Sequence, residues 1–491
     1  MQEPAPRPQS SAVGTPAHGG QSDLAAEVPV AGGPAMEDVA PVRRPRRGVR
    51  QEHASWRPGP LEWVVVAVGI ALRLLWATVG ARAPRILADP ALYQQAALRI
   101  AAGEGYVGFN GFPTSYYPPG YPWFLGSFQW VLERVGLGAH TIGAIAVLQA
   151  LLSGVAILAV MVVGHALAGR RAALAAGLAL ALWPNLIAHS SLMLSETLFV
   201  TLLSIALAGT VTMVRSGRLV PWRAVVAALA MGAATLVRPQ VLVVVVAAVI
   251  AWSLSRLGWR DVARRTAVLA VGVVVVVAPW TVRNAIVFDA FVPVSTNDGD
   301  NLCVGFNPDA TGHFGIPDAC DTGEFYIDGP EAELRRQAET RSRAIEWILE
   351  HPGEQPELAW KKLWWTYSSD TDAVWASLSF GQDPWLQDSQ LRAVRVVTSV
   401  YYAAVMLAAI VGAVVTARRG WRTRHQDPTG LVIVLGALAS SLVPVMFFGD
   451  PRFKVASAPF YVVLAGATIA AMLELRRDRP TGTPVPEEAR E

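Results

Sequence analysis

The chain carries few ionisable side chains within or beside its apolar stretches, and those few fall at comparable places. Asp89 opens the segment Asp89-Pro90-Ala91-Leu92-Tyr93, and Glu196 stands in Leu194-Ser195-Glu196-Thr197. Arg238 precedes Pro239, Arg283 and Asn284 follow Trp280, and Asp450 and Arg452 flank Pro451. Each lies at the end of an apolar run or just beyond it. These types suit the displacement of a phosphate leaving group. A carboxylate can take the proton of an attacking hydroxyl. A guanidinium can grip a phosphate bidentately and stabilise the charge it gains. Asp89 and Glu196 are therefore the catalytic candidates, and Arg238, Arg452 and Arg283 the candidates for a phosphate. Tyr93, Tyr117, Asn284 and Asp450 are candidate substrate contacts. A divalent metal bridging Asp89 or Glu196 to the phosphate is a further option; no other cofactor is expected. The sequence has no Gly-rich Walker pattern, so it gives no sign of a nucleotide site.

Each candidate also has a plain structural reading. Asp89 would serve as a helix N-cap. Glu196 would be an interfacial carboxylate, although its apolar flanks leave it few alternatives. Arg238 would anchor a lipid headgroup, and Arg283 an outer interface beside Trp280. Asp450 and Arg452 would form a turn ion pair of small worth. Arg73, within the first apolar run, requires a partner or a cavity. His165 and His189 lack ligand spacing and are read as non-ligands.

The elements that must hold these residues are membrane spans. The composition is 53% hydrophobic and 16% charged. The reading is an all-α polytopic membrane protein of about ten transmembrane helices. The spans are expected near 61–79, 140–168, 172–187, 194–214, 224–237, 241–257, 267–281, 393–417, 431–448 and 455–475. Arg clusters at 43–47, 170–171, 215–223, 256–265, 418–424 and 476–479 fall in alternate loops, which places those loops in the cytoplasm. The candidate residues then all face the other side. Net charge is only +3 and follows from these loops, so nucleic acid is not an expected partner.

Five regions follow from this reading. Residues 1–60 have no apolar run and read as a disordered cytoplasmic tail rather than a signal peptide. Residues 61–284 form an N-terminal transmembrane catalytic module with a first outer loop at 80–139. Within that loop, 90–102 and 121–135 suit helices lying in the interface plane. Residues 285–392 are polar and Trp-rich and read as a small extracytoplasmic domain, 393–475 as C-terminal transmembrane helices, and 476–491 as a cytoplasmic tail. Cys303 and Cys320 both fall in the outer region, where a disulfide is permitted; unpaired thiols are the alternative.

Five stretches carry a family resemblance: DPALYQQAALRIAAGEGY with PTSYYPPGYPWFL, LSETLF, TLVRP, APWTVRNAIVFDAFVPVSTNDGDNL and FFGDPRFKVASAPF. In order and placement they resemble the polytopic glycosyltransferases of the GT-C superfamily. In particular they resemble the bacterial family-39-like branch, which is itself similar to protein O-mannosyltransferases and the aminoarabinose transferases of lipid A. The resemblance implies a polyprenyl-phosphate sugar as donor, an extracytoplasmic glycan, lipid or protein acceptor, and a site facing out of a bacterial plasma membrane. It implies that Asp89 is the essential aspartate of the first loop. One departure stands out. Aminoarabinose transferases carry an acidic and a basic residue before the Pro-Pro pair, where this chain has Ser115, Tyr116 and Tyr117. Another cation must therefore hold the phosphate. The rival class is a lipid or glycan transporter or flippase, which would call for broken helices in repeated halves.

Overall fold

The computed structural model describes residues 56–215, 218–323, 328–425 and 427–477. Most of the two expected tails lies outside these residues. The chain enters through α1 (Pro60–Gly80) and crosses a first outer loop holding α2 (Asp89–Ala101) and α3 (Gly120–Arg134). The helices α4 (Thr141–Ala181), α5 (Pro184–His189), α6 (Glu196–Thr212), α7 (Pro221–Val237), α8 (Leu242–Ser253) and α9 (Trp259–Phe288) follow. A two-residue antiparallel ladder, Val214–Arg215 with Arg218–Leu219, links α6 to α7. The outer region is built from α10 (Asp298–Gly305), α11 (Pro330–Glu350), α12 (Gln355–Tyr367) and α13 (Asp372–Ser377). The chain ends in α14 (Asp388–Thr423), α15 (Thr429–Ser441), α16 (Val443–Met446), α17 (Pro451–Val455) and α18 (Ala458–Arg477).

The fold is helical and polytopic. Six described helical stretches are long and apolar enough to cross a membrane, and three more apolar ones, at 196–212, 221–237 and 239–253, are shorter. The expected count of ten requires those three to cross as well, and α4 to count twice. α4 does contain two arms. Its backbone leaves helical geometry at Ala168 and Gly169, the latter at φ 79°. Gly164 then packs on Ala172 and Ala173, and Gly177 on Met161, so the arms run back along each other. Small residues allow this approach: a Cβ on Gly164 would lie 3.0 Å from the Ala172 carbonyl oxygen. α18 joins the same seam through Gly466, where a Cβ would meet that oxygen at 2.5 Å. The second arm stops at Leu182, ahead of Pro184, which opens α5 instead.

Arg73 has a definite partner. It is 1% exposed, and its Nη1 donates to Gly69 O at 2.9 Å and Ala181 O at 3.0 Å. Its Nη2 donates to Leu180 O at 3.1 Å. The guanidinium therefore satisfies carbonyls left open at the end of α4, where the helix dipole also favours a cation.

The outer region is stitched to the first outer loop rather than standing apart. Glu333 of α11 accepts from Thr114 Oγ1 at 2.7 Å, from the Ser115 amide at 2.9 Å and from Thr296 Oγ1 at 2.5 Å. Its burial pushes the carboxyl up from the usual range. A disulfide joins Cys303 of α10 to Cys320. Lys362 of α12 is fully buried over the ring of Phe306, 3.1 Å from its centroid, and among the described residues its one hydrogen bond is a long one, 3.4 Å to Val445 O.

Two expectations follow. With both termini cytoplasmic, a cysteine replacing Gly329 reacts with an impermeant maleimide from outside; reaction only from the cytoplasm would overturn the topology. Burial pushes the Lys362 ammonium down to about 7 from its ordinary 10.5. Between those values the unfolded chain binds a proton that the folded chain does not, so stability rises with pH across the window. The thermal midpoint of the purified protein should climb from pH 7 to pH 9, and Lys362→Met should flatten that climb.

Candidate active site

Four chain segments deliver one polar cluster to the same end of the helices. Asp89 is the first residue of α2, but Ala88 is the N-cap and no side chain caps this helix. The carboxylate is instead turned to other segments: Oδ1 accepts from Tyr117 Oη at 3.1 Å, and Oδ2 from Arg452 Nη1 at 2.8 Å. Glu196 opens α6 and is 1% exposed. Its Oε1 accepts from Arg238 Nη2 at 2.5 Å and from Arg452 Nε at 2.8 Å. Its Oε2 has no partner among the described residues.

Local sequence explains both cations. Pro239 bars the preceding residue from helical geometry, so α7 ends and Arg238 takes φ −151° and ψ 107°. Its Nε donates to Ser195 Oγ at 3.0 Å. Arg452 follows Pro451, which starts α17, and Asp450 caps that helix by accepting from the Arg452 amide at 2.8 Å. Burial pushes the Asp450 carboxyl up from its usual range. Each guanidinium uses two donors in these contacts, Arg238 on Ser195 and Glu196, Arg452 on Glu196 and Asp89. The planar fork keeps further N–H groups for a ligand. The cluster is a neutral quartet of two carboxylates and two guanidiniums. A narrow crevice lies next to the start of α2, lined among others by Arg82, Ala88, Pro90, Met193, Ser379 and Phe380.

The other sequence candidates are placed differently. Tyr93 is buried and edge-on to Tyr117 and Tyr121, with centroids at 5.3 and 5.2 Å, so it braces Tyr117. Arg283 is not part of the quartet. Its Nη1 donates to Thr114 O, Ser115 Oγ and Asn284 Oδ1 at 2.9, 3.1 and 3.0 Å, its Nη2 to Tyr106 O at 3.0 Å, and it stacks over Trp280. Asn284 is fully buried, accepts from Ser115 Oγ at 2.7 Å and donates to Val292 O at 3.0 Å. Both residues tie α9 to the first outer loop, which leaves them little freedom to hold substrate. Asp450 is engaged as an N-cap.

Among the described residues no three His, Cys, Asp or Glu side chains converge. Asp89 and Glu196 are two carboxylates of the kind that, with a substrate phosphate, can hold a divalent ion, and Arg452 bridges them here.

Residues that sequence reading passed over also matter. His189, read as a non-ligand, pairs with Asp372 at 2.7 Å. Lys454 pairs with Asp370 at 3.2 Å. A signal existed: Lys454 is one of three lysines in a chain whose basic charge is otherwise arginine.

The fold and the site can now be set beside known proteins. Residues 117–282 match the family model of dolichyl-phosphate-mannose-protein mannosyltransferases. The oligosaccharyltransferase of Archaeoglobus fulgidus in its apo form superposes with a TM-score of 0.51 at 14% identity, over 85% of this chain and 51% of that one. This chain shares the fold of the matched part of that enzyme. It spans about half the length of that archaeal enzyme. The resemblance read from the motifs thus extends to the architecture. ArnT of Cupriavidus metallidurans bound to undecaprenyl phosphate is a more distant match, at TM-score 0.39 and 19% identity over 84% of this chain and 78% of that one. A search of curated proteins finds no match to the sequence. The family-model segment contains Tyr117, Glu196 and Arg238 and stops one residue before Arg283.

Breaking a buried ion pair by removing one partner costs about 3–5 kcal/mol. Arg452→Ala strips a partner from both carboxylates, whereas Arg238→Ala leaves Glu196 with Arg452. Thermal unfolding of purified variants should therefore show the larger loss for Arg452→Ala. Equal losses would mean that Arg452 is not the shared cation.

Proposed function

We propose that this protein is a membrane glycosyltransferase that moves a sugar from a polyprenyl-phosphate donor to an extracytoplasmic hydroxyl acceptor. The observation that carries this reading is the quartet: a partly exposed carboxylate, Asp89, beside two guanidiniums that retain donors for a phosphate. The family model matched at 117–282, named for a polyprenyl-phosphate sugar donor, supports the same class.

The steps follow from the groups present. The donor phosphate takes the free N–H groups of Arg238 and Arg452. The acceptor hydroxyl enters beside Asp89. Its oxygen forms a bond to the anomeric carbon as the bond from that carbon to the phosphate oxygen breaks. The electron pair leaves with the polyprenyl phosphate, whose added charge the two guanidiniums stabilise. The hydroxyl proton passes to Asp89, with Tyr117 fixing the carboxylate through Oδ1. Glu196 does not touch the reacting atoms in this scheme. It holds the two cations side by side, so its catalytic assignment becomes one of orientation. The scheme uses neither a divalent ion nor Arg283. The alternation of arginine clusters supports a site on the outer side of the membrane, and the family resemblance points to a bacterial plasma membrane. A transporter or flippase reading gains nothing from charges gathered at one end of the helices.

Asp89→Asn should abolish sugar transfer from an undecaprenyl-phosphate sugar while binding of undecaprenyl phosphate persists. Turnover of the purified variant at the wild-type rate would remove Asp89 from the chemistry.

A further inference from the structure

α17 has five residues, too few to persist without outside contacts, yet it carries the cation shared by both site carboxylates. Two positions after Arg452, on the roughly opposite side of the turn, stands Lys454. It is 1% exposed. Its Nζ donates to Ser369 O at 2.6 Å and Pro451 O at 3.0 Å, and lies 3.2 Å from Asp370 Oδ1. Asp370 is fully buried and accepts from Trp183 Nε1 at 2.8 Å and Asn185 Nδ2 at 3.0 Å. Asn185 also donates to Asp372 Oδ1 at 2.8 Å and accepts from the Ala373 amide at 3.2 Å, and Asp372 meets His189 at 2.7 Å. Trp183, Asn185 and His189 lie on or beside α5, seven residues or more ahead of Glu196 in the chain. One buried network thus ties the helix of Arg452 to the segment that leads into Glu196.

We propose that Lys454 and Asp370 are positioning residues, whose buried ion pair seats α17 so that Arg452 reaches Asp89 and Glu196 together. The inference rests on the glycosyl-transfer reading of the quartet. A buried ion pair adds little stability over a well-packed apolar pair. What it does supply here is direction. The Lys454 ammonium is held by the Ser369 carbonyl and the Asp370 carboxylate, neighbours on one outside segment, and by the Pro451 carbonyl of its own helix, and these fix the height and rotation of a helix one turn long. Arg452 makes bonds of 2.8 Å to carboxylates on different helices, so a small rotation breaks one of them. A misplacement of about 1 Å in such a group costs on the order of 100-fold in rate.

The test uses the full-length protein in nanodiscs with undecaprenyl phosphate as the probe. Variants are Lys454→Met, Lys454→Arg, and the charge-free double variant Lys454→Met with Asp370→Leu, which leaves no unpaired buried charge and so guards against simple misfolding. Each is measured alone and with Arg452→Ala, for affinity, for kcat and KM with an undecaprenyl-phosphate sugar, and for thermal midpoint. The expected result is a 10- to 100-fold loss of kcat in Lys454→Met and in the double variant, with partial rescue in Lys454→Arg. The affinity losses should vanish once Arg452 is already alanine, because the pair acts through that residue. If the double variant folds and turns over like the wild type, or if its loss is the same with and without Arg452, the inference is overturned while the reading of the site stands. If the wild type does not bind undecaprenyl phosphate, the reading itself fails and the inference with it.

Discussion

One guanidinium between two carboxylates is the contact on which the rest of this site depends. Arg452 joins Asp89 of the first outer loop to Glu196 at the head of a membrane helix, through bonds of 2.8 Å to each. Without it, Asp89 would lose its cation and Glu196 would keep Arg238 alone. Arg238 completes the balance from a fourth segment. The quartet is neutral at rest, and its carboxylates hold the two guanidiniums in place with N–H groups left over for a phosphate. That preorganisation is the feature a leaving phosphate requires.

The fold serves this contact by fixing short, interrupted segments. Proline sets three of them: Pro184 starts α5, Pro239 ends α7 at Arg238, and Pro451 starts α17 at Arg452. Small residues let α1, α4 and α18 pack closely beneath, and Arg73 closes the end of α4 with a charge where water is excluded. Glu333 of α11, with Arg283 and Asn284 of α9, locks the first loop in place. Rigid helices on one side and hydrogen-bonded loops on the other leave the Asp89 carboxylate partly exposed.

Much of this was legible in the sequence. Long apolar runs have one physical solution in a membrane, so the helices and the residues at their ends could be read from hydropathy and punctuation. The same reading placed Asp89, Glu196, Arg238 and Arg452 at comparable helix ends. It could not show that one arginine serves both carboxylates, because that depends on the packing of segments 363 positions apart. It kept Arg283 as a phosphate candidate behind Arg238 and Arg452, and Asn284 as a substrate contact, since an arginine beside a tryptophan looks alike whether it faces a ligand or a neighbouring loop. It read Asp450 as a substrate contact, although Asp before Pro at a helix start also spells an N-cap. His189 and Lys454 were passed over because their partners, Asp372 and Asp370, lie in a polar stretch with no periodic signal.

The most direct measurement is the position of the phosphate in a cryo-EM structure of the protein with undecaprenyl phosphate bound. The account expects a phosphate oxygen at about 2.7–2.9 Å from both Arg238 and Arg452, with the Asp89 carboxylate facing the space above it. A phosphate seated on Arg283, with Arg452 still joining Asp89 to Glu196, would contradict it.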